Sequence, residues 1–120
     1  MLPLDQALNP DACIDDDMTF YVLEKKPNLH EQYRKTFRFA GYHLLLLQHE
    51  GKPVLLDNIC PHAGYPMKDG LIIDGSIRCP MHGYLFDLHN GDCLLSPEGP
   101  CNGVRIYEVI QIDEDLGVNL

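Results

Sequence analysis

Residues 57–93 read DNICPHAGYPMKDGLIIDGSIRCPMHGYLFDLHNGDC, and within this stretch one short pattern occurs twice. Cys60-Pro61-His62-Ala63-Gly64-Tyr65 is answered by Cys79-Pro80-Met81-His82-Gly83-Tyr84. Each copy opens on Cys-Pro, follows with a His, and closes on Gly and Tyr. Each Pro restricts the backbone just after the Cys and offers no amide hydrogen. Each nearby Gly allows a sharp turn and a close approach of backbone to whatever the loop holds. Between the copies, Leu71–Ile73 and Ser76–Arg78 flank Asp74-Gly75, a two-residue hairpin signal of the type I′ kind. After the second copy, Tyr84–Leu88 and Asp92–Leu95 flank His89, Asn90 and Gly91, which gives a second such signal. The centre of the chain is thus two polar loops hung on short hairpins.

Outward from this centre the pattern stays β-rich. Phe20–Glu24, Thr36–Phe39, Tyr42–Gln48 and Pro53–Leu56 read as strands, the last two joined by a turn at Glu50-Gly51. Val104–Ile112 and Val118–Leu120 close the chain as two more. One stretch, Asn28–Lys35, reads as a short helix, although it has no clear apolar face. Many short strands with Gly-centred turns predict an all-β sandwich or barrel. The 120 residues suit one domain with one core and leave little room for a second catalytic domain. The expected division is an acidic, flexible segment over 1–17 and a single domain over 18–120.

Charge excludes one class of partner. The formal net charge is −9, but Asp5, Asp11, Asp15, Asp16 and Asp17 crowd one end, and Asp113, Glu114 and Asp115 the other. The interval from Met18 to Ile112 holds 10 acids against 9 bases. No basic stripe is present, so nucleic acid is not an expected partner. The longest aliphatic run, Leu44–Leu47, is far short of the ~20 apolar residues of a transmembrane helix, and no membrane partner is expected. The first residues carry five acids and no base, unlike a secretory or transit signal. The expected location is the cytoplasm. There, an odd count of five Cys favours metal binding or unbridged thiols over a disulfide framework.

Cys60 and His62 are two apart, Cys79 and His82 three apart, and sixteen residues separate His62 from Cys79. Two thiolates and two imidazoles in paired loops suit either a tetrahedral zinc or an iron–sulfur cluster. Cys13, Cys93 and Cys101 have no His at ligand spacing and read as unbridged thiols. His43 and His49 share a face of one expected strand and read as a polar or partly buried pair. His30 and His89 read as solvated, and Phe37, Phe39 and Tyr42 as core.

Cys-x-His, sixteen residues, then Cys-x-x-His-Gly resembles the Rieske [2Fe-2S] motif. Tyr84-Leu85-Phe86-Asp87, Gly91 and Pro97 extend the likeness, which is strongest from Asp57 to Pro97 and reaches from about Met18 to Leu120. The resemblance implies a Rieske-like fold of small antiparallel sheets, with a cluster-binding tip subdomain over about 57–100. It implies one [2Fe-2S] cluster of Rieske type, with Cys60 and Cys79 on one iron and His62 and His82 on the other. Two ferric ions, two sulfides and two thiolates sum to zero charge, and one electron takes the site to minus one. Two imidazoles in place of two thiolates therefore ease reduction, and such centres span roughly −150 to +300 mV.

High-potential members of the family brace their loops with a further Cys pair. Tyr65 and Met81 stand at those positions here. Those members also carry hydroxyl donors at the positions of Tyr84 and Phe86. Phe86 has no hydroxyl, and Tyr84 is too long to replace a Ser. The expected potential is thus near the lower end, around −150 mV. The resemblance implies a one-electron carrier with no catalytic residues of its own, fed by a flavin-dependent reductase and feeding a terminal oxygenase. Its expected docking edge comprises Ala63, Tyr65, Pro66, Met81 and Tyr84. The alternatives are a small Rieske subunit of a larger oxidoreductase, nitrite-reductase-like, and a structural zinc module.

Overall fold

The structure, a computed structural model, describes residues 19–60, 66–80, 83–97, 99 and 101–120. Cys13 and the acidic segment 1–17 lie outside the described residues. Eleven strands form three antiparallel sheets among the described residues. The central sheet has the order β9–β4–β3–β2: Ile106–Tyr107, Lys52–Asp57, Tyr42–His49 and Arg34–Phe39. A second sheet has β10 (Ile110–Ile112), β11 (Asp115–Asn119) and β1 (Phe20–Lys25). The third holds β5 (Leu71–Ile73), β6 (Ser76–Arg78), β7 (Leu85–Asp87) and β8 (Cys93–Leu95) in sequential order. The all-β expectation holds, and this last sheet is the expected tip subdomain.

The run Leu44–Leu47 explains how the sheets stack. All four leucines are fully buried. Side chains alternate across a strand, so such a run is stable only with apolar cover on both faces. Leu45 and Leu47 pack with Leu56, Met67, Ile77 and Phe86 on the tip side. Leu44 and Leu46 pack with Leu23, Leu55 and Val118 on the other. Tyr42–His49 is therefore a wall shared by two cores, and burying each of its leucines contributes roughly 2 kcal/mol.

The turns follow residue chemistry. Asp74 and Gly75 have φ of 49° and 78°, the left-handed pair a type I′ hairpin requires. Ala40-Gly41 and Glu50-Gly51 adopt the same pair of positive φ values and join Arg34–Phe39, Tyr42–His49 and Lys52–Asp57. The second expected tight hairpin is a longer loop instead. Only Gly91 has a positive φ there, and its amide donates to the Asp87 carbonyl at 2.7 Å.

Two further expectations fail. No helix forms over Asn28–Lys35: a 3-10 turn spans Lys26–Asn28, with Pro27 at its start, and the next strand already begins at Arg34. With no apolar face to bury, the stretch is ordered by its polar groups. The Glu31 carboxylate accepts hydrogen bonds from Gln48 Nε2 and from the Glu50 and Gly51 amides at 2.8–2.9 Å. Those bonds, Gln48's foremost, hold its carboxyl below the usual range. Val104–Ile112 is also not one strand. Ile106–Tyr107 pairs with the central sheet and Ile110–Ile112 with the second, so the chain changes sheets between them.

Candidate metal centre

The first loop leaves the central sheet just after Lys52–Asp57, and its base is closed by a small polar network. The Met67 amide donates to both the backbone and the side-chain oxygen of Asn58, at 3.0 and 3.1 Å. Ile59 and Pro66 form an isolated antiparallel bridge just inside it. Asn58 is buried, and its Nδ2 lies 3.0 Å from His43 Nε2. His43 in turn lies 3.5 Å from the Arg38 guanidinium. Burial chiefly, and Arg38 in addition, push the His43 imidazole below its usual pKa, so it stays neutral and can accept from Asn58. Arg34 ties the far side of the loop, donating from Nη1 to the Lys68 and Gly70 carbonyls at 2.6 Å.

The second loop follows Ser76–Arg78 directly. The Cys79 amide donates to the Tyr84 carbonyl at 2.7 Å, and the Gly83 amide returns to the Cys79 carbonyl at 3.1 Å. Gly83 has φ of 75°, and a Cβ there would meet the Arg78 guanidinium at 3.2 Å. Glycine is the residue that fits this turn without strain.

Both loops thus start from a cysteine held against one core. Cys60 and Cys79 are 0% and 1% exposed and belong to a single buried cluster with Met67, Ile77, Tyr84 and Phe86. Two thiolates buried in apolar surroundings need positive charge to compensate them. A cluster whose ferric ions, sulfides and two thiolates cancel is a net-neutral group, which such a core can bury at little cost. The donor chemistry and the surroundings therefore fit a [2Fe-2S] group. His62 and His82 lie outside the described residues, as do Ala63, Tyr65 and Met81.

Of the expected docking residues, Pro66 is exposed, but Tyr84 is 0% exposed and faces the core. Its position beside Gly83 in sequence suggests a rim residue, and its packing with the cysteines overrides that. His43 and His49 do not act as a pair: His43 serves the first loop, whereas His49 lines a cleft of about 500 Å³ with Glu50, Val54, Leu88, His89 and Tyr107. No residue of that cleft belongs to the paired loops. His30 and His89 are exposed, and Phe37, Phe39 and Tyr42 pack on the second core, as expected.

Sequence spacing gave no sign of one feature. Cys93 and Cys101 pack against the cluster that contains Cys60 and Cys79. The Cys101 thiol is pushed up to about 11, by burial first and then by a hydrogen bond with Cys93 and the proximity of the other cysteine sulfurs.

Comparison with known proteins places these observations in a family. The model of the Rieske [2Fe-2S] domain matches residues 19–108. The ferredoxin component of the naphthalene 1,2-dioxygenase/salicylate 5-hydroxylase systems of a Ralstonia species is 31% identical over 86 residues, covering 72% of this chain and 71% of that protein. The oxygenase component of dicamba O-demethylase from Stenotrophomonas maltophilia is 41% identical over 61 residues, 51% of this chain but 17% of that protein. The chain thus spans well under a fifth of that oxygenase component. Among solved structures, the ferredoxin of Sphingomonas yanoikuyae B1 superposes with a TM-score of 0.75 at 20% identity, over 85% of this chain and 99% of that one, a likeness of fold.

Proposed function

Since this chain belongs to the Rieske [2Fe-2S] domain family, we propose that it is a one-electron carrier that receives electrons from a flavin-dependent reductase and delivers them to a terminal oxygenase in the cytoplasm. The observation that carries this reading is the convergence of Cys60 and Cys79, nineteen residues apart in sequence, into one buried apolar cluster at the base of two matched loops. Cys60, His62, Cys79 and His82 are the residues that would hold the cluster, in the single domain over 18–120. When bound, the cluster supplies a site that gains and loses one electron without a change of ligands.

The chain's own groups do the rest. Met67, Ile77, Tyr84 and Phe86 exclude water from the sulfur side. The Asn58 and Cys79 hydrogen bonds hold the loop bases in place, so little reorganisation accompanies charge transfer. Phe86 has no hydroxyl where high-potential members of the family carry a donor, which keeps the expected potential near −150 mV and within reach of a reduced flavin. Among the described residues no helix is long and apolar enough to cross a membrane.

The test is to purify the native chain, measure iron and sulfide, and record its visible and electron-paramagnetic spectra and midpoint. Two irons, two sulfides and a midpoint well below zero are expected. A colourless chain with one zinc, or a clearly positive midpoint, overturns the carrier reading.

A further inference from the structure

Arg78 closes the strand Ser76–Arg78 and immediately precedes Cys79. Side chains alternate along a strand, so Arg78 leaves the tip sheet on the face opposite the buried Ile77. On that outer face the pairing sets it beside Leu71 on one neighbouring strand and Leu85 on the other. No acid stands across from it on either strand, and it makes no ion pair with another described residue. The side chain folds over the second loop instead. From the position a Cβ would take at Gly83, Arg78 Nη2 is 3.2 Å, Nε 3.4 Å and Cζ 3.8 Å away. The whole guanidinium thus lies against the turn that the Gly83 amide closes onto the Cys79 carbonyl. Arg34, at the first loop, differs: its Nη1 is occupied by the Lys68 and Gly70 carbonyls.

We propose that Arg78 is a potential-setting residue, a fixed positive charge laid over the Cys79–Gly83 turn that favours the reduced form of the cluster. The proposal rests on the carrier reading and adds a residue that is not one of the four ligands. The direction follows from charge. The oxidised cluster with its two thiolates sums to zero and the reduced one to minus one. A neighbouring cation therefore stabilises the reduced form and leaves the oxidised form nearly untouched.

The surroundings of Arg78 keep this charge effective. A guanidinium is always charged in a protein, so its field does not vary with pH. Leu71 and Leu85 beside it offer no anion to cancel it. Gly83 leaves the space that the group occupies, since a side chain there would press on it. Arg78 is exposed, so water and salt weaken its field without abolishing it. It offsets in part the hydroxyl that Phe86 lacks.

The test uses the full chain with its cluster. Arg78→Gln and Arg78→Met remove the charge, Arg78→Lys keeps it and Arg78→Glu reverses it; the two neutral variants keep the test intact should one fail to fold. Visible and electron-paramagnetic spectra are recorded first and should match the native ones. At low salt each neutral variant should hold the electron about tenfold less tightly, a midpoint about 59 mV lower for a one-electron couple. Arg78→Lys should restore the native midpoint to within about twofold in electron affinity, and Arg78→Glu should fall roughly twice as far as Arg78→Gln. The gap between native and Arg78→Gln should narrow as salt rises from about 10 mM to about 1 M. Neutral variants within about twofold of native, or an Arg78→Lys midpoint as low as that of Arg78→Gln, overturn the proposal. So does loss of the visible spectrum in both neutral variants, which would make Arg78 a structural part of the loop. In these three outcomes the native chain keeps its couple and the carrier reading stands. A native chain with no reversible one-electron couple overturns both.

Discussion

The two cores on either side of Tyr42–His49 are made of different materials. The core shared with the second sheet is hydrocarbon: Leu23, Leu44, Leu46, Leu55 and Val118, edged by the ring contacts Tyr21–Phe39, Phe39–Tyr42 and Tyr42–Tyr107. The core facing the tip holds every described sulfur, in Cys60, Met67, Cys79, Cys93 and Cys101. The strands differ as well. Those under the hydrocarbon core run to eight residues, whereas each strand of the tip sheet has three. Three-residue strands bury too little to hold themselves. The hydrocarbon core closes on apolar side chains alone, while the sulfur-bearing core is tied by loop hydrogen bonds and would be held further by its metal group.

Removing that group is the strongest way to break the contrast. Cys79→Ser should lose the visible spectrum and raise hydrogen exchange at the Met67, Cys79, Gly83 and Val104 amides roughly 1,000-fold, about 4 kcal/mol. The amides of Leu44–Leu47 should change less than tenfold. Equal loss of protection on both sides would show that the two cores unfold as one.

Truncating the shared wall on each face comes next. Leu46→Ala and Leu45→Ala should each cost about 3 kcal/mol in denaturant unfolding. Only Leu45→Ala, on the sulfur side, should also speed loss of the chromophore in the folded state.

Asn58→Ala leaves the Met67 amide and His43 without their side-chain partner, at a cost of about 1–3 kcal/mol localised to the first loop. The same network sets an acid response. His43 has its pKa lowered in the fold, so the unfolded chain binds the extra proton, and His43's contribution is complete above about 6.5 and falls away as pH drops below it. Glu24, on the scaffold side, responds in the same direction but at lower pH. Hydrogen bonds from Asn28 first, then Tyr33 and the Lys25 amide, lower its carboxyl to about 2. Its contribution is present above about 4.5 and is lost as pH falls towards 2. Acid titration followed at both sides should therefore loosen the first loop as pH falls below about 6.5, while the scaffold persists below pH 4. His43→Gln should flatten the first step only.

The smallest effect is at a turn. Ala40 sits at φ 51°, which costs a non-glycine residue roughly 1 kcal/mol and asparagine less. Ala40→Asn should raise stability by about 0.5 kcal/mol in denaturant titration, with no change in the visible spectrum.

Much of this architecture was legible in local residue chemistry. Asp74-Gly75 carried its own turn type, and Leu71–Ile73 and Ser76–Arg78 fell where the alternation placed them. The doubled Cys-Pro pattern pointed to a two-loop site. What escaped was decided by distant partners. Glu31 answers amides on another turn, so a stretch of helical composition became a link. Tyr107 pairs with Leu55 while Ile110 pairs with Gly117, a change of sheet that β-propensity over Val104–Ile112 does not encode. Tyr84 has a sequence position that suggests the rim and a packing position in the core.

Leu44–Leu47 carries one more consequence. In a half-buried strand, sliding the pairing by one residue exposes the apolar side chains, and that penalty fixes the alignment. Here four identical side chains cover both faces, so a slide by one would exchange leucine for leucine at three of the four sites and bring His43 or Gln48 into the fourth. The middle of the strand carries little information about its own alignment. That information sits at its two ends, in Ala40-Gly41 and Glu50-Gly51, where two left-handed residues close each hairpin and Glu31 clasps the second. An inserted residue in either turn would be read as a frameshift of the whole wall, delivering the wrong edge of Lys52–Asp57 to Asn58 and Cys60.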